Sequence, residues 1–225
     1  MKLTYKIKEN DNYNNIKELL KAYFNISDRL LLKLKKNNKI KLNGKDININ
    51  SLLSFGDIVE VIIDFEEDNS NIIPTKMTLD IIYEDDGFLV INKPAGIPIH
   101  PSMEHFTDSL SNGIKYYFDT IGLKKKIRPV NRLDRNTSGL VIFAKNEYIQ
   151  ECLVKQMKAG NFYKEYIAIC EGAFEKEKGI INAPIARREN SIIERCVSNS
   201  GDIAITKYEV LKYNKERIIL LLNVC

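Results

Sequence analysis

The sequence predicts an α+β protein in two parts, a small α/β unit followed by a larger domain on a mixed, mainly antiparallel sheet. Three observations carry this expectation. Over residues 1–64, short segments with strand alternation interleave with segments of helical spacing. From residue 77 to 225, apolar strand-like runs predominate, broken by turn signals and two amphipathic helices. Residues 65–76 between them are polar and acidic, contain Pro74, and read as a linker.

The elements follow in order. Residues 3–7 alternate as a strand does. Ile16, Leu19, Leu20 and Tyr23 have helical spacing. Ser27 is a suitable N-cap for a second helix, with Leu30, Leu31 and Leu34 as its apolar face and Lys33, Lys35 and Lys36 on the other. Ile40 and Leu42 lead into Asn43-Gly44, the signature of a type I′ hairpin turn. Gly56-Asp57 turns the chain into a strand over residues 58–63. In the second part, residues 81–83 and 88–91 are strands around Asp85-Asp86-Gly87, and Lys93-Pro94-Ala95-Gly96 is a further turn. Residues 108–118 form an amphipathic helix burying Leu110, Ile114, Tyr117 and Phe118. A buried strand over 139–145, a helix over 147–158 and a strand over 163–170 follow. Residues 204–213 and 217–224 read as neighbouring strands. The sequence stops at Cys225, on the last residue of an apolar strand, so a truncated domain is expected.

Composition excludes several classes. With 44% apolar and 28% charged residues, the 225-residue chain is neither disordered nor fibrous. It has no run of about 18 apolar residues to cross a membrane and no apolar signal-peptide core at its N-terminus. Cys152, Cys170, Cys196 and Cys225 stand far apart, as reduced thiols of a cytoplasmic protein do. Two histidines make a zinc site improbable. Net charge is only +4, but it is unevenly spread. Residues 29–45 hold seven bases and no acid, residues 64–86 eight acids and one lysine, and residues 124–145 seven bases and one acid, Asp134. The pattern suggests two surfaces for a polyanion joined by an acidic connector, against the plainer reading of solvated lysine faces.

Chemistry concentrates at Asn131-Arg132-Leu133-Asp134-Arg135-Asn136-Thr137-Ser138-Gly139, a polar loop between two strands. Flanking arginines favour the charged form of Asp134, which suits a nucleophile or an electrostatic stabiliser rather than a general acid. The plainer reading is a loop aspartate paired with an arginine to hold a turn. Other candidates are weaker. Asp85-Asp86 before a glycine is a turn before it is a paired-carboxylate site. His100 and His105 lack the company a metal pair needs, so local hydrogen bonding is expected of them. Tyr116-Tyr117-Phe118 has the helical phase of core packing.

The nonapeptide, with Leu140-Val141-Ile142-Phe143-Ala144-Lys145 after it, resembles the central motif of the RluA family of RNA pseudouridine synthases, roughly HRLDxxTSG and an apolar strand. Ile82–Pro101, with Asn92-Lys93-Pro94-Ala95-Gly96 inside it, resembles that family's first motif. Lys164-Glu165-Tyr166-Ile167-Ala168 is similar to the strand that supplies its active-site tyrosine, and the likeness continues in order through Gly179–Arg187 and Gly201–Tyr208. Residues 1–64, through Ser27-Asp28-Arg29-Leu30-Leu31, the basic helix, Asn43-Gly44 and Gly56-Asp57, are similar to the S4 RNA-binding domain.

The resemblance implies isomerisation of uridine to pseudouridine in ribosomal RNA or tRNA. Asp134 would attack the ribose or otherwise trigger cleavage of the glycosidic bond. Arg132 would fill the space left by the flipped nucleotide, and Tyr166 would stack on the uracil. Arg29, Lys33, Lys36, Lys93 and Arg135 are the candidate RNA contacts. One glycosidic bond replaces another, so no metal and no redox cofactor is expected; the partner is RNA, with no membrane, and the protein is expected to be a monomer. Three departures stand out. Asn131 occupies a histidine position, Asn136 an aspartate position, and the family's later Gly-Arg-Thr-His-Gln-like motif, whose arginine or lysine pairs with the aspartate, is absent. The alternative is a catalytically inactive RNA-binding remnant. A carboxylate-dependent hydrolase would need a second carboxylate near Asp134, and the sequence offers no clear one.

Overall fold

The structure, a computed structural model, describes residues 1–172, 174–191, 193–214 and 217–224. Cys225, on which the truncation expectation turned, lies outside them. The chain forms two compact units, Met1–Val154 and Lys155–Cys225.

The first unit opens with β1 (Lys2–Lys6), α1 (Ile16–Ala22), α2 (Asp28–Lys36), β2 (Ile40–Leu42), β3 (Lys45–Asp46) and β4 (Ile58–Ile62). The strands form an antiparallel sheet in the order β1-β4-β2-β3. Both helices start on side-chain caps. Asn15 accepts from the Glu18 amide at 3.0 Å, and Ser27 accepts from the Leu30 amide at 3.3 Å. Ile16, Leu19, Leu20, Leu30 and Leu34 are fully buried against Val59 and Val61 of the sheet. Asn43 and Gly44 both have positive φ, 51° and 78°, as a type I′ turn requires.

The same unit continues through β5 (Ile81–Glu84), β6 (Phe88–Lys93), α3 (Leu110–Thr120), β7 (Arg128–Pro129), β8 (Gly139–Ala144) and α4 (Glu147–Lys158), which leads into the second unit. The second sheet has the order β5-β6-β8-β7, all antiparallel. Leu89, Ile91, Val141 and Phe143 point from β6 and β8 onto Leu110, Ile114 and Phe118 of α3. The Asp85-Asp86-Gly87 segment is a turn, with the Asp85 carboxylate accepting from the Gly87 and Phe88 amides. Tyr117 is half-buried, its hydroxyl donating to Glu84 at 2.6 Å.

The acidic stretch is bound to basic residues on both sides. Arg128 grips Glu67 through both guanidinium nitrogens at 2.6 Å, Lys125 meets Asp64 at 2.9 Å, and Lys124 meets Glu66 at 3.4 Å. From the helical side, Lys33 reaches Glu147 at 2.6 Å and Glu67 at 3.5 Å, and lies 4.1 Å from the centre of the Phe65 ring. Ser27 donates to Glu151, and Tyr148 packs against the N-terminal core. These contacts tie residues 1–64 to the second sheet within the unit Met1–Val154.

The second unit holds β9 (Glu165–Glu171), β10 (Lys178–Asn182), β11 (Ile185–Arg187), β12 (Arg195–Val197), β13 (Ile205–Asn214) and β14 (Arg217–Val224). Its main sheet has the antiparallel order β10-β13-β14-β9, so β14 is an interior strand. Ile218 and Leu220 of β14 are buried.

Candidate active site

β6 and β8 run antiparallel with Lys93 opposite Gly139 and Asn92 opposite Leu140. The two segments that resembled family motifs are therefore neighbours, and the loops after β6 and before β8 emerge at one end of the sheet. Asp134 lies in the second loop, exposed, at the head of a turn closed by the Thr137 amide donating to the Asp134 carbonyl at 3.1 Å.

The loop is held from beneath. Lys93 is the largest fully buried side chain, with no solvent exposure. Its ammonium donates to three main-chain carbonyls, those of Pro94 and Ile97 at 2.9 Å and Arg135 at 3.0 Å. The Arg135 carbonyl also accepts from the Gly96 amide at 2.8 Å. Gly96 has φ +90°, a conformation that L side chains rarely adopt. Burial pushes the Lys93 pKa below its ordinary value, and the nearby charge of Asp134 works against that shift. Lys93 closes strand β6 instead of sitting in a turn, and its ammonium is bound to backbone carbonyls.

The rim of the loop is basic. Arg132 and Arg135 are exposed on either side of Asp134. Partial burial of the His100 ring, with the Arg132 guanidinium near it, pushes the His100 pKa down. Arg135 directs a guanidinium nitrogen to His105 Nε2 at 3.0 Å, and His105 Nδ1 lies 2.8 Å from Asp108. Sequence reading missed this Asp108–His105–Arg135 chain, because nothing in the spacing links residues thirty positions apart.

Asn131 is explained by structure. Its side-chain oxygen accepts from the Ile142 amide and its nitrogen donates to the Leu140 carbonyl, both at 2.9 Å. The side-chain amide acts as one more peptide group pairing with β8, just beyond β7.

The remaining candidates lie elsewhere. Lys33 on α2 is held by two carboxylates and a ring, whereas Arg29 and Lys36 are exposed. Residues near α2 meet Glu147, just past the far end of β8. That end is roughly 17 Å from Gly139, at about 3.4 Å per residue. Tyr166 belongs to the second unit. It lies on β9 opposite Leu222, half-buried, and shares a face with Ala168 and Cys170. Of the seven bases in 124–145, Lys124, Lys125, Arg128 and Lys145 are paired with acids, whereas Arg132 and Arg135 are exposed in the loop that carries Asp134.

The loop between β7 and β8 thus presents one exposed carboxylate, with Arg132 and Arg135 near it in sequence. The comparisons name the class of protein. Residues 87–223 match the family described as RNA pseudouridylate synthase, which is more than half of the chain, and the chain belongs to that family. It is 39% identical over 184 residues to the uncharacterized RNA pseudouridine synthase YhcT of Bacillus subtilis, covering 81% of this chain and 60% of that protein. It is 36% identical over 180 residues to the ribosomal large subunit pseudouridine synthase D of Borreliella burgdorferi, covering 76% and 55%. The chain thus spans little more than half the length of these relatives. Its fold is similar to the solved human RNA pseudouridylate synthase domain containing 1, with TM-score 0.54 and 22% identity over 65% of this chain and 59% of that one.

Proposed function

We propose that this protein isomerises uridine to pseudouridine in RNA, with ribosomal RNA as the substrate class and Asp134 as the nucleophile. The observation that carries the reading is the pairing of β6 with β8, which brings both motif loops to one sheet end with a single exposed carboxylate between Arg132 and Arg135. The relative named for the ribosomal large subunit supports that choice of RNA.

In this reading, Asp134 attacks the ribose or otherwise triggers loss of the uracil. The base turns, and a carbon–carbon glycosidic bond replaces the carbon–nitrogen one, with a proton leaving the ring carbon and one gained at the ring nitrogen. The target nucleotide has to leave its stack for these atoms to be reached, and Arg132 fills the space it vacates. Tyr166 stacks on the uracil. Arg135 bears on the RNA backbone beside the site. Residues 1–64, as an S4-like domain, add salt-dependent affinity through Arg29 and Lys36.

The test is Asp134→Asn in the full gene product, read by mass spectrometry of ribosomal RNA from cells lacking and regaining the gene. Pseudouridine disappears at the target while RNA binding persists. Continued conversion by that variant removes Asp134 from the role. Wild-type protein that binds RNA without converting any uridine makes it an RNA-binding remnant instead.

A further inference from the structure

We infer that His105, oriented by Asp108, is a positioning residue that acts through Arg135; the inference rests on the reading of the loop around Asp134 as the reacting site. Arg135 is fastened at its main chain, where its carbonyl accepts from Lys93 and Gly96. Its long side chain is exposed, and an exposed arginine samples many rotamers unless something holds it. His105 is that holder. A guanidinium nitrogen can only donate, so at 3.0 Å the His105 Nε2 must offer a lone pair.

That requirement fixes the rest of the chain. With Nε2 accepting, the ring proton of neutral His105 resides on Nδ1, which donates it to the Asp108 carboxylate at 2.8 Å. Asp108 has its pKa pulled below the ordinary value by this hydrogen bond. Asp108 stands immediately before Ser109, the N-cap of α3, and α3 is packed on the sheet by Leu110, Ile114 and Phe118. The position of the helix start is thereby passed through Asp108 and His105 to the guanidinium of Arg135, one residue after Asp134 in the loop. An imidazolium in the same place would set a second donor against Arg135, so the arrangement belongs to neutral His105. Orientation bound in advance lowers the ordering cost of the substrate complex.

The full gene product is assayed as wild type, His105→Ala, His105→Gln and His105→Asn, alone and with Arg135→Ala. His105→Ala lowers kcat/KM about tenfold, the worth of one hydrogen bond to a charged group. His105→Gln, whose side-chain oxygen falls near the Nε2 position and accepts from Arg135, recovers most of that loss. His105→Asn, which is too short, does not. In the Arg135→Ala background, removing His105 costs nothing further, because the partner is already gone. Equal losses for Gln and Asn, or full additivity with Arg135→Ala, overturn the inference. Nitrogen-15 long-range NMR gives a readout independent of activity. The His105 signal, assigned by its absence in His105→Gln, shows the Nδ1-protonated tautomer, and an Nε2-protonated ring overturns the proposal. Failure of the wild type to convert uridine counts against the proposed function, whereas the tautomer result judges the His105–Arg135 contact by itself.

Discussion

Lys93→Met isolates the contribution of the carbonyl clamp beneath the Asp134 loop. Methionine is close to lysine in length and removes only the ammonium, so packing changes little. Three acceptors lose a charged donor, but their fates differ. The Arg135 carbonyl keeps the Gly96 amide at 2.8 Å, whereas those of Pro94 and Ile97 lose the donor that Lys93 supplied at 2.9 Å. Two carbonyls left unsatisfied cost about 1–3 kcal/mol each, or roughly 2–6 kcal/mol. Burying an ammonium carries its own desolvation cost, which methionine avoids, so the net loss lies near the lower half, about 2–4 kcal/mol. For a chain of this size, that lowers Tm by about 5–15 °C. Circular dichroism during thermal and urea unfolding measures it. A variant within about 0.5 kcal/mol of wild type would refute the clamp as the support of the loop. The same variant tests whether Lys93 contacts RNA. Lys93→Met should leave the salt dependence of RNA binding unchanged, because an ammonium held by three carbonyls has no phosphate to release counterions from.

Outcomes at four other residues follow. Asp134→Asn abolishes pseudouridine formation and His105→Ala reduces it about tenfold, as set out above. Asn131→Asp keeps the acceptor for the Ile142 amide but turns a carboxylate oxygen toward the Leu140 carbonyl; it should cost about 2 kcal/mol, measured by urea unfolding, with Asn131→Ala milder. Glu67 supplies the pH dependence. Burial raises its pKa, but hydrogen bonding and charge from Arg128, with Lys33 adding to them, hold it below its ordinary 4.5. A carboxylate with a lowered folded-state pKa stabilises the fold above its unfolded value and loses that contribution as pH falls through the folded value. Stability should therefore decline below about pH 4.5, and Glu67→Gln should flatten that decline while costing about 3 kcal/mol at neutral pH, seen in unfolding titrations from pH 7 to 3.

Local chemistry made much of the fold legible beforehand. Ser27 as a cap, Asn43-Gly44 as a turn, and the spacing of Leu30, Leu31 and Leu34 act over a few residues, and each appears as expected. The short strands β10, β11 and β12 went unseen, because they carry weak alternation and form only through their partners. The loop proposed as the site was legible as a motif, because Arg132, Asp134 and Arg135 are consecutive or nearly so. The contact of His105 and Asp108 with Arg135 was not legible, because it exists only after folding.

Charge shows the difference most clearly. The sequence by itself determined how many acids and bases there are and in which blocks they stand, together with the motifs that identify the family. It could not determine which block faces solvent. Coulomb attraction acts through space, and Glu67 and Arg128 are 61 positions apart in the chain yet bonded at 2.6 Å in the fold. Only the tertiary structure decided that Lys33, Lys93 and Arg128 serve the protein's own carboxylates and carbonyls. Arg132 and Arg135, by contrast, stay exposed in the loop that carries Asp134.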